Sequence, residues 1–64
     1  MKNRIKVRRA ELDMTQYELA DKAGVARTIV NQIETGKRQN YTSETMEKIA
    51  IALECELSDI FMLE

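Results

Sequence analysis

The sequence predicts an all-α domain, with five short helices packed around one core. Three observations carry that prediction. The chain has no Pro and only two Gly, and it is rich in Glu, Lys, Leu, Ile and Ala, the residues that lose least on entering a helix. Its few local signals sit where helices begin and end. Between them, apolar residues recur at helical spacing. At 64 residues the chain (1–64) is one domain. A chain of this size buries only about 60% of the surface its unfolded form exposes. Small domains usually offset this with metals, disulfides or self-association. The chain has no His, and Cys55 is its one cysteine, so neither an internal disulfide nor a zinc site is expected. Helix packing and dimerisation remain. The lone thiol reads as a small buried apolar side chain in a reducing compartment.

In chain order, Ile5 and Leu12 mark one face of a first helix crowded with Lys6, Arg8 and Arg9. Thr15-Gln16-Tyr17-Glu18 then has the form of a capping box, in which Thr15 accepts from the Glu18 amide and Glu18 reaches back. Met14 and Leu19 flank it as a hydrophobic staple, so a second helix begins at Gln16. Gly24 supplies the left-handed backbone that ends it. A third helix runs from about Ala26 to Thr35, with Val25, Val30 and Ile33 facing inward, and Gly36 stops it. Lys37 to Asn40 is a polar loop. Thr42 caps a fourth helix, whose Met46, Ile49, Ala50 and Leu53 repeat at i, i+3, i+4, i+7. A short fifth helix spans about Leu57 to Phe61. The ends stay open between two readings. Ile5 and Val7 alternate with polar residues and Phe61-Met62-Leu63 is apolar, so a short terminal β-ribbon is the alternative to plain helix and coil, although isolated ribbons are weak.

The net charge of −1 conceals an asymmetry. Residues 1–40 hold nine of the ten Lys/Arg and five of the eleven Asp/Glu, whereas residues 41–64 hold one Lys and six acids. A basic front can hold phosphate while an acidic back stays clear of it. No apolar run of signal-peptide or membrane-spanning length occurs, so a soluble, cytoplasmic and nucleoid-associated protein is expected, without a membrane partner. Without His, only scattered carboxylates are left, at no spacing that suggests a paired acid and base. An enzyme is not expected, nor a cofactor or metal.

Residues 16–35 carry the functional signal. They have the constraints of two helices meeting steeply through a short turn. Ala20 is small where the helices approach, Gly24 lies in the turn, and Leu19, Ala23, Val25, Val30 and Ile33 are apolar toward the core. What remains on the outer side of the second helix of this pair is Arg27, Thr28, Asn31 and Gln32. All can hydrogen-bond and none is acidic. An ordinary solvated helix face mixes Glu with Lys, whereas Arg suits guanine edges and Asn or Gln suits adenine edges in the major groove.

Thr15-Gln16-x-x-Leu19-Ala20-x-x-x-Gly24-Val25, followed by Ile33-Glu34-x-Gly36-Lys37, resembles the lambda-repressor-like, Cro/cI-type (xenobiotic-response-element) helix-turn-helix family. The likeness extends to Lys48-Ile49-Ala50-x-Ala52-Leu53 and Leu57-x-Asp59-Ile60-Phe61. It implies five α-helices, the third being the recognition helix, and usually a homodimer. It also implies roles. Arg27, Thr28 and Gln32 would face base edges with Asn31 nearby; where Ala26 departs from the family's Ser, its methyl could instead meet a thymine methyl. Thr15 and Gln16 would lie at phosphate at the start of the second helix, where backbone amides favour an anion. Lys37, Arg38 and Asn40 would hold the backbone on the other side. Arg9 and Glu34 match a structural pair bridging the first helix to the end of the third. Some positions depart from the family pattern. Ala26 stands where Ser often caps the third helix, Thr28 replaces a common Gln, Ile29 a small polar residue, and Glu54 a frequent Gly. The loop from Gln39 to Ser43 lacks the usual Pro. The operator therefore cannot be borrowed from relatives.

The expected mechanism is a homodimer formed through Ile51, Leu57, Ile60, Phe61, Met62 and Leu63, which offer more apolar surface than one small core can hide. It would set two recognition helices roughly 34 Å apart on a pseudo-palindromic operator and repress by occupying a promoter. The competing reading is an antitoxin or other protein-interaction module whose main partner is a protein. The acidic, apolar-tailed back half favours it, and the lack of a spare segment counts against it.

Overall fold

The computed structural model describes residues 2–37 and 41–62. Five helices follow in order: α1 (Ile5–Glu11), α2 (Gln16–Ala23), α3 (Arg27–Glu34), α4 (Ser43–Ala52) and α5 (Leu57–Ile60). Two strands of two residues, β1 (Lys2–Asn3) and β2 (Phe61–Met62), pair antiparallel in the register Lys2 to Met62 and Asn3 to Phe61. The ends thus form the ribbon, but not from the residues whose alternation suggested it. Ile5 and Val7 lie in α1. The reason is local: the Asn3 side-chain oxygen accepts the Ile5 amide at 3.3 Å, and the Arg4 amide donates to the Ile60 carbonyl at 2.7 Å. The strand therefore closes at Arg4 and the chain turns into helix, sending Ile5 into the core and leaving Val7 exposed.

Helix ends are built by side chains where the sequence carries them. At α2 the Thr15 hydroxyl accepts the Glu18 amide at 3.1 Å and the Glu18 carboxylate accepts the Thr15 amide at 2.9 Å. Thr42 likewise accepts the Thr45 amide at the start of α4. α3 has no side-chain cap at Ala26. The exits of α1, α2 and α4 follow one scheme. At Gly24 (φ 72°) the Val25 amide returns to the Ala20 carbonyl. The exits of α1 and α4 repeat it with Asp13 (φ 53°) and Glu54 (φ 58°) in the left-handed position, where glycine is the unstrained choice.

Ile5, Leu19, Val30, Ile33, Ile49, Leu53 and Ile60 are fully buried, so every helix contributes to one core. Each such side chain is worth about 1.5–3 kcal/mol relative to exposure. α2 packs against both α3 and α4, and Ala20 is buried there. A larger side chain would overpack the site, at about 1–3 kcal/mol. Tyr41 packs beside Phe61 with ring centroids 5.9 Å apart.

The C-terminal region departs from the expected self-association face. Ile60 is fully buried and Phe61 nearly so, in the protein's own core, and Leu57 is half-buried against it. α5 is a single four-residue turn whose exit is pinned by β1, so its apolar side is used internally. Ile51, in contrast, is 74% exposed. The Met62 side chain and Leu63 lie outside what the structure describes.

Candidate nucleic-acid interface

The turn between α2 and α3 comprises Gly24, Val25 and Ala26. It is short because Gly24 reverses the chain at once and Val25 tucks against the core. α3 then places Val30 and Ile33 inward. Its outer side carries the five residues assigned to base contact: Ala26 and Thr28 are exposed, and Arg27, Asn31 and Gln32 are half-buried. Arg27, Thr28, Asn31 and Gln32 lie along one solvent-facing side of the helix, with Ala26 at its N-cap.

Side chains from α1 and α2 hold that face in place. Gln16, the first residue of α2, is the junction. Its amide oxygen faces Arg27 Nη1 at 3.4 Å and Asn31 Nδ2 at 3.5 Å, while its amide nitrogen donates to Glu34 Oε1 at 3.4 Å. Each contact is long for a hydrogen bond and weak alone; together they tie the two helices at the surface. Below them, Arg9 Nε donates to Glu34 Oε2 at 2.7 Å and Arg9 Nη2 to Glu34 Oε1 at 3.0 Å, a two-pronged ion pair. Arg9 Nη1 also reaches the Met14 carbonyl at 2.9 Å. The side chains are only 15% and 4% exposed. The hydrogen bond to Glu34 raises the Arg9 pKa above its ordinary value, against the opposing effect of burial. The one acid of α3 is therefore neutralised by its own partner, and the outer face carries no free negative charge.

The residues assigned to phosphate flank this face unevenly. Thr15 is exposed, but its hydroxyl and amide are already engaged in the α2 cap. The Thr15 backbone N–H, and then its hydroxyl, hold the Glu18 carboxyl below the usual carboxylate range. Lys37 is exposed directly after Gly36. Arg38 and Asn40 lie outside the described residues.

Two contributors escape sequence reasoning. Asn3 Nδ2 donates to the Ile33 carbonyl at 2.8 Å, so the N-terminal strand holds the end of α3. Tyr17 stands 70% exposed at the second position of α2, and the Arg27 guanidinium lies over its ring, 4.9 Å from the centroid. The signal for Tyr17 was its place off the Leu19, Ala20, Ala23 stripe: an aromatic residue with no inward position. Elsewhere, a cavity of about 530 Å³ lies among Arg4, Arg8, Glu11, Glu54, Glu56 and Asp59. Its Arg8 is engaged by the Leu53 carbonyl and by Glu11. Among the described residues no cluster of His, Cys, Asp and Glu could hold a metal ion, and no helix is long and apolar enough to cross a membrane.

Two helices joined by a three-residue turn, the second buried on one side and polar on the other, define a helix-turn-helix protein. Residues 5–60 match the helix-turn-helix family model. Two proteins of Archaeoglobus fulgidus (strain ATCC 49558 / DSM 4304 / JCM 9628 / NBRC 100126 / VC-16), each named an uncharacterized HTH-type transcriptional regulator, are 39% and 38% identical over 64 residues. Those alignments span 100% of this chain and 89% and 90% of theirs. Among solved structures, the biofilm master regulator SinR in complex with DNA superposes with a TM-score of 0.79 at 35% identity, covering 84% of this chain and 86% of that one. A chain of a SinR–SinI complex gives a TM-score of 0.81 at 34% identity, covering 86% of this chain and 53% of that one. The chain belongs to the Cro/C1-type helix-turn-helix family, a family of transcriptional regulators and not of enzymes.

Proposed function

We propose that the protein is a sequence-specific regulator that binds double-stranded DNA as a homodimer, inserts α3 into the major groove of a pseudo-palindromic operator, and represses in the cytoplasm at the nucleoid. The observation that carries this reading is the outer side of α3: solvent-open, lined with hydrogen-bonding side chains, and rid of free acid because Arg9 takes up Glu34. The solved SinR–DNA complex supports it, since that relative binds DNA through the same fold.

In this reading Arg27, Thr28, Asn31 and Gln32 read base edges, with the Ala26 methyl at a thymine, and specificity resides there. Gln16 and Lys37, joined by Thr15, Arg38 and Asn40, contact phosphate and set register. Dimerisation falls to the apolar surface left over, with Ile51 and the half-buried Leu57 at its centre. Selection from random duplexes at a stated salt concentration tests the proposal. It should enrich a two-fold site with half-sites about one helical turn apart. Recovery of unrelated sequences bound only through salt-sensitive contacts would overturn it.

A second reading has the chain act mainly on a protein partner. The acidic residues 41–64 favour it, as does the SinR–SinI complex, in which a relative is bound to another protein. The same selection separates the two, because a protein-directed module would enrich no site.

A further inference from the structure

We infer that Tyr17 is a positioning residue for sequence choice: its ring face holds the Arg27 guanidinium ready for a guanine edge. This rests on the reading of α3 as the base-contacting helix and extends it to a residue of α2 outside the base-contact set.

Arg27 is the first residue of α3, behind an N-cap that makes no side-chain bond. A long arginine there would ordinarily sample many rotamers. Here two groups confine it: the Tyr17 ring at 4.9 Å from the guanidinium carbon to the centroid, and Gln16 Oε1 at 3.4 Å from Nη1. Both come from the first turn of α2, so the relative placement of the two helices fixes where the guanidinium lies. A guanidinium carries its donors in its own plane, so contact through the π face occupies none of them. Gln16 takes up Nη1, so the edge left to pair with guanine O6 and N7 is that of Nε and Nη2, and the side chain loses little further freedom on binding. Tyr17 is 70% exposed and contributes no core volume, so its replacement leaves the fold intact. The bland alternative, a solvent-facing tyrosine that only happens to lie near an arginine, predicts no effect on base choice.

The test compares wild type with Tyr17→Phe, Tyr17→Leu, Arg27→Ala and the Tyr17→Leu/Arg27→Ala double variant. Each is titrated against the selected duplex, against that duplex with the Arg27-facing base pair exchanged, and against a random duplex. Tyr17→Phe should keep the wild-type base preference, because the ring remains. Tyr17→Leu should lower the preference at that base pair by about two- to fivefold, while random-duplex affinity stays level. The double variant should discriminate no worse than Arg27→Ala alone, the signature of two side chains acting as one. In the free protein, the Arg27 side-chain protons should lie upfield in wild type and Tyr17→Phe and move to ordinary shifts in Tyr17→Leu. Full discrimination by Tyr17→Leu, additive losses in the double variant, or a loss in Tyr17→Phe equal to that in Tyr17→Leu would each overturn the assignment. Failure of wild type to prefer any duplex would instead remove the DNA reading itself, whatever the free-protein shifts show.

Discussion

The outward sides of α3 and α4 belong to neighbouring stretches of one chain, and they differ in kind. On α3 the solvent-facing residues are Arg27, Thr28, Asn31 and Gln32, and the one acid, Glu34, is bound to Arg9. On α4 they include Glu44, Glu47 and Lys48, with Lys48 reaching Glu44 at 3.3 Å, and Ile51 exposed among them. The second is an ordinary solvated helix with one apolar outlier. The first keeps Arg27 but no free acid, so it lacks the mixed charges that make a helix face merely soluble. Net charge therefore says little about phosphate binding in a molecule this small; what matters is which sign faces outward at the contact. The N-termini differ too. α4 has its Thr42 cap and α3 has none, so α3 depends on Val30, Ile33 and the Glu34 pair to stay in place.

The largest test of that dependence removes the pair. Glu34→Ala leaves a largely buried guanidinium, 15% exposed, without its carboxylate and should cost about 3–5 kcal/mol in denaturant unfolding. DNA affinity should fall with it, through displacement of α3. Arg9→Ala should behave alike, whereas a stability loss below about 1 kcal/mol for both would show that α3 is held by its apolar side alone.

Next come the two roles on the interface. Arg27→Ala should cost about 1–3 kcal/mol of discrimination at one base pair, whereas Lys37→Ala should weaken binding to all duplexes evenly and reduce the salt slope by about 1. Competition against single-base variants at several salt concentrations separates them. If both variants gave one profile, the division between reading and gripping would fail. Smaller still are the helix ends. Ala26→Ser supplies the missing cap and should stabilise by about 1 kcal/mol. Thr42→Ala should lose about as much. Glu54→Gly relieves a left-handed glutamate at φ 58°, a strain of about 1–2 kcal/mol, partly offset by the exposed Lys22–Glu54 pair at 3.4 Å. Thermal unfolding reads all three.

These ends also show how far sequence reasoning reaches. The Thr15–Glu18 box, the Gly24 exit and the Thr42 cap were legible because each is closed by residues three to five apart. The left-handed Asp13 was not, since no glycine marks it, and Glu54 showed only as a departure from a frequent Gly. The Asn3 bond to the Ile33 carbonyl spans 30 positions, and nothing local announces it. That Ile60 and Phe61, offered for a dimer face, are spent in the chain's own core was hidden for a related reason. Composition reveals how much apolar surface exists, but only the β1–β2 register decides how much of it the chain itself covers. On α3, helical spacing separated the inward Val30 and Ile33 from the polar outer side. Gln16 as a junction, and Tyr17 as a platform, needed the angle between the helices.

The smallest expected effect concerns pH and tests whether the α2 cap is as complete as its geometry. Glu18 accepts the Thr15 amide at 2.9 Å, and that bond lowers its folded-state pKa. A carboxyl with a depressed folded pKa contributes stability fully above its unfolded value, about 4.3, and loses it as pH falls through the folded value. Stability of the wild type should therefore decline more steeply below about pH 4.3 than that of Glu18→Gln, whose amide keeps an acceptor for Thr15 but cannot titrate. Urea midpoints measured from neutral pH downward give both slopes. Equal slopes would mean that the carboxylate is no better placed in the folded chain than in the unfolded one, and α2 would then owe its start to the Thr15 hydroxyl and to the burial of Leu19.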